Sequence, residues 1–123
     1  EVMRGAFLIH KASERDASVM PAATVFNMAT HWGAQSIGLE GVGVIETGEL
    51  ADLIGVRNDL ETPMTHQNAA TQVVLFRDAC DVVFSMVDGT VLMNEGTLLT
   101  MEETACREQA AAEAKRLWRD TNG

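Results

Sequence analysis

A chain of 123 residues, 46% of them hydrophobic, is long enough for one folded domain and too apolar to remain disordered. Its formal charge of −9, from 18 acidic against 9 basic residues, repels phosphate backbones and anionic lipid, so neither nucleic acid nor a membrane surface is an expected partner. No apolar run reaches the length of a membrane span and no basic-then-apolar leader opens the chain, so a cytoplasmic location is expected.

The chain opens Glu1-Val2-Met3-Arg4. Either a stretch upstream is absent, or Met3 is a native start behind a short remnant. Residues 3 to about 15 carry Met3, Phe7, Leu8 and Ala12 near the helical period and predict a first helix. Ser18-Val19-Met20-Pro21 predicts a second helix start, with Ser18 as cap and Pro21 in the first turn, where its missing N–H has no partner to lose. Val25, Met28, Ala29 and Trp32 continue that helix to Trp32. Gly33 then offers a stop or kink, with a further turn from Ala34 to Ile37.

Glycines at 38, 41, 43 and 48 follow, with extended runs expected at Val42 to Ile45 and Leu50 to Val56. Residues 57–70 read as a polar surface loop, and Ala70 to Phe76 is ambiguous between helix and strand. Val82 to Val87, Asp88-Gly89 and Thr90 to Met93 predict a β-hairpin with a primed turn, ended by Asn94-Glu95-Gly96. A long helix is expected from about Met101 to Arg119. Its signals are a Thr100–Glu103 capping box, a Glu103–Arg107 pair, and Lys115, Arg116 and Arg119 at the negative end of the dipole. This order predicts an α+β fold: two helices, a small antiparallel or mixed sheet, and a long C-terminal helix. Frequent Met and the lack of Tyr point to an aliphatic, adaptable core.

The chemistry-bearing residues are dispersed. His10, His31 and His66 are far apart in sequence, unlike the clustered donors of a local metal site. His10 is expected at the solvent or a helix contact, His31 at a surface or interface, and His66 in solvent. Glu40, Glu46 and Glu49 read as a solvated face. Asp78 and Asp81 flank Cys80, and neighbouring carboxylates make a thiol less reactive. Cys80 and Cys106 form no CxxC and no ligand spacing with a histidine, so both read as reduced thiols. Ser13 and Ser18 have no triad partners, and the glycines at 41, 43 and 48 do not form a dinucleotide loop. No catalytic, cofactor-binding or metal-ligating residue is expected within this chain.

Three blocks carry a resemblance. The first is Met28-Ala29-Thr30-His31-Trp32-Gly33-Ala34-Gln35-Ser36-Ile37-Gly38-Leu39. The second is Gly43-Val44-Ile45-Glu46-Thr47-Gly48-Glu49-Leu50-Ala51-Asp52-Leu53-Ile54. The third is Asp81-Val82-Val83-Phe84-Ser85-Met86-Val87-Asp88-Gly89-Thr90-Val91. In this order they resemble the C-terminal signature of the amidohydrolase superfamily, on the branch of chlorohydrolases, guanine and cytosine deaminases and adenosyl-homocysteine deaminases. Glu1-Val2-Met3-Arg4 resembles the stretch after that family's eighth barrel strand. Glu49 departs from the family's usual Lys at an expected surface position. Asp52, in Ala-Asp-Leu, is expected to accept backbone N–H groups where the chain turns into a strand.

The resemblance implies that residues 1–40 are the terminal helices of a (β/α)₈ barrel, 41–99 a β-sandwich portion and 100–123 a C-terminal helix. It also implies a parent hydrolase acting on non-peptide carbon–nitrogen bonds, or on C–Cl bonds, of purine, pyrimidine or triazine-type rings. In the full-length family one or two ions, Zn or Fe, sit at the barrel's C-terminal face and make hydroxide available near neutral pH. A neighbouring carboxylate or His moves the protons. By the order of blocks those ligands all precede Glu1, so no cofactor is expected in this chain and its own enzymatic activity is left open. The expected partner is either a second copy or the missing barrel segment. The alternative expectation is a non-catalytic module that self-associates or binds a partner.

Overall fold

The computed structural model describes residues 1–120, Asp120 by its helical backbone only, so the last three positions of the expected 100–123 block lie outside the described residues. The first helix, α1, spans Val2–Glu14 and ends where Arg15 adopts the left-handed conformation (φ 53°). Met3, Ala6 and Phe7 face the core, while Leu8 is 54% exposed. The buried stripe is therefore rotated by about one position from the expected one. The Lys11 ammonium stands 4.3 Å from the centroid of the Phe7 ring. It also donates to the carbonyls of Ala17 and Val19, each at 2.6 Å, and so ties down the linker that follows.

Ser18 does not cap the second helix. Its backbone N–H and its hydroxyl both donate to Asp16 Oδ1 at 2.7 Å, closing a tight turn and holding the Asp16 carboxyl below its ordinary pKa. The helix α2 spans Ala22–Ala29, with Pro21 at its N-cap rather than inside its first turn. The expected run to Trp32 breaks at Thr30 (φ −121°, ψ −102°), and α3 restarts over His31–Ser36 with Gly33 inside it. The Thr30 hydroxyl donates to the Phe26 carbonyl at 2.9 Å, competing with the helical ladder at the break.

No strand forms at residues 42–45. Gly41 (φ +75°) and Gly43 (φ +89°) turn the backbone out of the extended region, and the Leu50 N–H donates to the Gly41 carbonyl at 2.7 Å to close the loop. Only Leu53–Val56 of the expected second run becomes strand β1. The ambiguous segment is a helix, α4, over Ala69–Phe76, preceded by Asn68, whose side chain binds the Thr65 N–H and the Pro63 carbonyl. A 3₁₀ turn at Ala79–Asp81 leads into β2 (Val82–Val87), followed by β3 (Thr90–Asn94). Asp88 and Gly89, both with positive φ (47° and 71°), form the primed turn between them. Glu95 and Gly96 repeat that turn (φ 49° and 75°) and lead into a short fourth strand that the sequence did not suggest, β4 (Thr97–Leu98). The sheet is antiparallel throughout, in the order β1-β2-β3-β4.

The last helix, α5, spans Glu103–Asp120. The Cys106 N–H donates to the Glu102 carbonyl, so the helix starts at Glu103 and not at the expected Met101, and Thr100 lies three residues ahead of it. The Glu103–Arg107 pair forms at 2.5 Å. Every residue from Met101 to Arg119 is exposed.

Although α4 lies between β1 and β2 in sequence, it packs with α1 and α2. The core is Ala22, Val25 and Val74, with Met3, Phe7, Met20, Phe26, Ala70 and Leu75 packed around them. Val74 is 1% exposed. Truncating it to Ala removes two methyl groups and leaves a cavity that three helices cannot fill by relaxing, an expected loss of about 2 kcal/mol. A urea unfolding series measures this, and a change under about 0.5 kcal/mol would place the core elsewhere.

Candidate functional site

Two places combine burial with polar chemistry. The first is the junction around Arg77. This residue follows α4, and its side chain is 4% exposed. Nη1 lies 2.6 Å from Asp59 Oδ1 in the preceding loop and 3.6 Å from Asp81 Oδ1 at the mouth of β2. The Arg77 carbonyl accepts from Arg4 Nη2 of α1 at 3.2 Å. Helix, loop and the entry of the sheet thus meet at one residue. Its Nε and Nη2, with Nε of Arg4, are buried and find no partner among protein atoms.

The hydrogen bond from Arg77 holds the Asp59 carboxyl below its ordinary pKa against the opposing cost of burial, with lesser help from the charges of Arg77 and Arg57. A folded-state pKa depressed in this way stabilises the fold at pH above the unfolded carboxylate value of about 4, and that contribution is lost as pH falls through the folded value. Asp59→Asn is therefore expected to flatten the acid limb of stability. Urea midpoints measured between about pH 6 and pH 3 should fall less for the variant than for the parent chain. Parallel limbs would show that Asp59 is not linked to folding.

The second place is a groove of about 430 Å³ between α2–α3 and β1, walled by Phe26, Trp32, Val44, Ile45 and Ile54. The loop approaches so closely here that a Cβ on Gly43 would stand 2.8 Å from His31 Cα. His31 and Asp52 also line the groove, and His31 Nδ1 is buried without a partner. Asp52 Oδ1 accepts the Asp88 N–H at 2.7 Å. The acceptor role expected of Asp52 is real, but the donor comes from the distant hairpin turn and clamps it to the entry of β1.

The other singled-out residues do not converge. His10 and His66 are exposed, as are Glu40, Glu46, Glu49 and Ser13. Asp78 accepts the Cys80 N–H at 2.9 Å and donates its own N–H to Asp81 Oδ2 at 3.0 Å, so the two carboxylates cap the 3₁₀ turn. Cys80 and Cys106 are free and exposed. Among the described residues no three His, Cys, Asp or Glu side chains stand close enough to hold a metal ion together. That donor set does not fit a catalytic metal, and no chemical step follows from it here. Among the described residues no helix is long and apolar enough to cross a membrane.

A helical cluster joined to a four-stranded antiparallel sheet, with its glycine-rich loop pressed on a helix break, makes a mixed α and β segment. The Amidohydrolase family matches residues 1–92, and the chain belongs to that family. It is 36% identical over 118 residues to a 5-methylthioadenosine/S-adenosylhomocysteine deaminase of Desulforudis audaxviator, covering 95% of this chain and 27% of the relative. It is 34% identical over 119 residues to a 5'-deoxyadenosine deaminase of Methanosarcina acetivorans, again 95% of this chain and 27% of the relative. Among solved structures it resembles a zinc-bound adenosine deaminase from Xanthomonas campestris, with TM-score 0.80 and 28% identity over 97% of this chain and 26% of that one. The zinc complex of atrazine chlorohydrolase from Arthrobacter aurescens shares the fold, with TM-score 0.78 and 21% identity over 90% of this chain and 25% of that one. The chain spans about a quarter of the length of these relatives.

Proposed function

We propose that this chain is the C-terminal portion of a metal-dependent amidohydrolase that hydrolyses C–N or C–Cl bonds of purine, pyrimidine or triazine-type rings. On this reading it does not catalyse by itself. Residues 1–40 close a barrel, 41–99 supply part of a β-sandwich, 100–123 add the final helix, and zinc or iron is held by the rest of the enzyme. One observation carries the reading: the likeness to nucleoside deaminases runs over 95% of this chain yet takes up only 27% of the Desulforudis enzyme. Among the described residues, Asp52 clamps a loop and Asp78 caps a turn, as polar groups of a scaffold segment would.

The test grafts this chain in place of the matching 118 residues of the Desulforudis deaminase. With Zn²⁺ or Fe²⁺ the folded chimera should release ammonia from at least one purine or pyrimidine nucleoside or amino-triazine, and the 123-residue chain should release none. A folded, metal-loaded chimera that is silent on all of them sinks the reading.

One observation favours the second reading, a non-catalytic module that self-associates. The chain exposes 9440 Å², whereas a compact monomer of its mass exposes about 6,500 Å². Sedimentation at tens of micromolar checks it, roughly the range where weak association shows. A clean monomer excludes self-association.

A further inference from the structure

We infer that the buried edge of the Arg77 guanidinium is a binding site for one small planar oxyanion, a carboxylate the size of formate or the similarly shaped bicarbonate, held in a fork by Nε and Nη2.

A guanidinium presents five N–H groups in a fixed plane. On Arg77 the Nη1 end is used: it lies 2.6 Å from Asp59 Oδ1 and 3.6 Å from Asp81 Oδ1. Another edge, made by the parallel N–H bonds of Nε and Nη2, finds no acceptor among protein atoms, although the side chain is only 4% exposed. The spacing of those two donors matches the two oxygens of a carboxylate, which is how arginine binds carboxylates bidentately. Arg4 reaches the Arg77 carbonyl through Nη2 and keeps its own buried Nε unpartnered as well. All three orphaned atoms are donors, so the group that completes them is an acceptor.

Water also accepts two hydrogen bonds, and charge decides against it. Three arginines, Arg4, Arg57 and Arg77, meet two carboxylates, Asp59 and Asp81, at this junction. Asp78, next in the chain, is exposed and engaged with the turn it caps. One positive charge is left in excess, in a chain whose formal charge is −9. A buried cation short of both charge and hydrogen bonds is costly, and a monoanion supplies both. Neither carboxylate turns to the orphaned edge without giving up what it holds. Asp59 stands between Arg77 and Arg57, and Asp81 Oδ2 accepts the Asp78 N–H at 3.0 Å. The orphaned nitrogens are covered by the chain's own atoms. A side chain from another polypeptide does not reach them, so the ligand is one small enough to be enclosed. It enters from the loop side, where Arg57 and Asp59 are half exposed.

The test follows urea unfolding of the 123-residue chain at fixed pH and ionic strength, with sodium formate in place of sodium chloride. For a dissociation constant of about 10 mM, formate at about 100 mM raises the ratio of folded to unfolded chain about tenfold. Bicarbonate should act like formate. Arg77→Lys keeps the charge and loses the fork, so it should lose the formate increment, whereas Arg57→Lys should keep it. Should the Arg77 variant not fold, the parent chain still decides: in heteronuclear NMR spectra the Arg77 Nε–H signal should shift saturably with formate, and that of Arg57 should not. An increment that persists in Arg77→Lys places the anion elsewhere and overturns the site. Equal effects of formate and chloride are ionic screening and overturn it too. No increment, with an unmoved Arg77 signal, leaves the edge to an enclosed water and overturns it as well.

Discussion

Replacing Arg77 by Ala is expected to cost the fold about 3 kcal/mol, through a cavity where the aliphatic stem packed and the loss of a buried polar junction. The side chain is 4% exposed, and its charged end meets Asp59 at 2.6 Å while its own carbonyl is held by Arg4. Arg77→Met separates the two contributions. It keeps the stem and removes the charge, and the carboxylate left behind, Asp59, has a side chain 52% exposed, so water takes over its unpaired charge. The Met variant should therefore lose less than half of what the Ala variant loses in urea unfolding. If both lose the same, the ion pair dominates. If neither loses about 1 kcal/mol, the junction is not a structural centre.

Gly43→Val should be comparably damaging, for a reason confined to the backbone. Gly43 has φ +89°, and a Cβ there would sit 2.8 Å from His31 Cα and 2.9 Å from His31 N, atoms that cannot swing aside. Left-handed strain costs about 1–2 kcal/mol and overpacking about 1–3 kcal/mol more. Gly48→Ala is the control, because Gly48 also has positive φ (+99°) but open space around it. It should lose only the strain, about 1 kcal/mol. Thermal melts of the two variants read the difference directly, and equal melting temperatures would mean that the loop does not press on the helix break.

What was legible in the sequence was local. Asp88-Gly89 between two β-prone runs specified the β2–β3 hairpin, since the turn is set by its own two residues. The charge gradient and alanines of α5 specified a long helix in the same way, although it starts at Glu103 and not at the expected Met101. What was hidden depended on distant partners. The break at Thr30 comes from a hydroxyl competing with the ladder, at a residue whose apolar neighbours kept the helical period intact. Val42 to Ile45 looked extended, but two positive-φ glycines keep that stretch out of the sheet. Ala70 to Phe76 could not be assigned because Val73 and Val74 suit either state, and packing on α1 and α2 decided for helix.

The candidate surfaces show the same division. Asp52 was marked as an acceptor, but its donor, Asp88, lies 36 residues further on. Arg77 was not singled out at all, because its burial needs α1, α4, a loop and a sheet to meet. The alternation of an edge strand reads the same whether its second side is covered or bare, so the open face of β1 is visible only in three dimensions.

The placement of α4 has a kinetic consequence. The β2–β3 hairpin closes over two turn residues and belongs to the microsecond class of events. β1 reaches β2 only after residues 57–81 have run out to the helical cluster and returned, so the loop entropy of that excursion comes due before any of its contacts form. Assembly should therefore be ordered, with hairpin and helices first and β1 last, making β1 the least protected strand during synthesis.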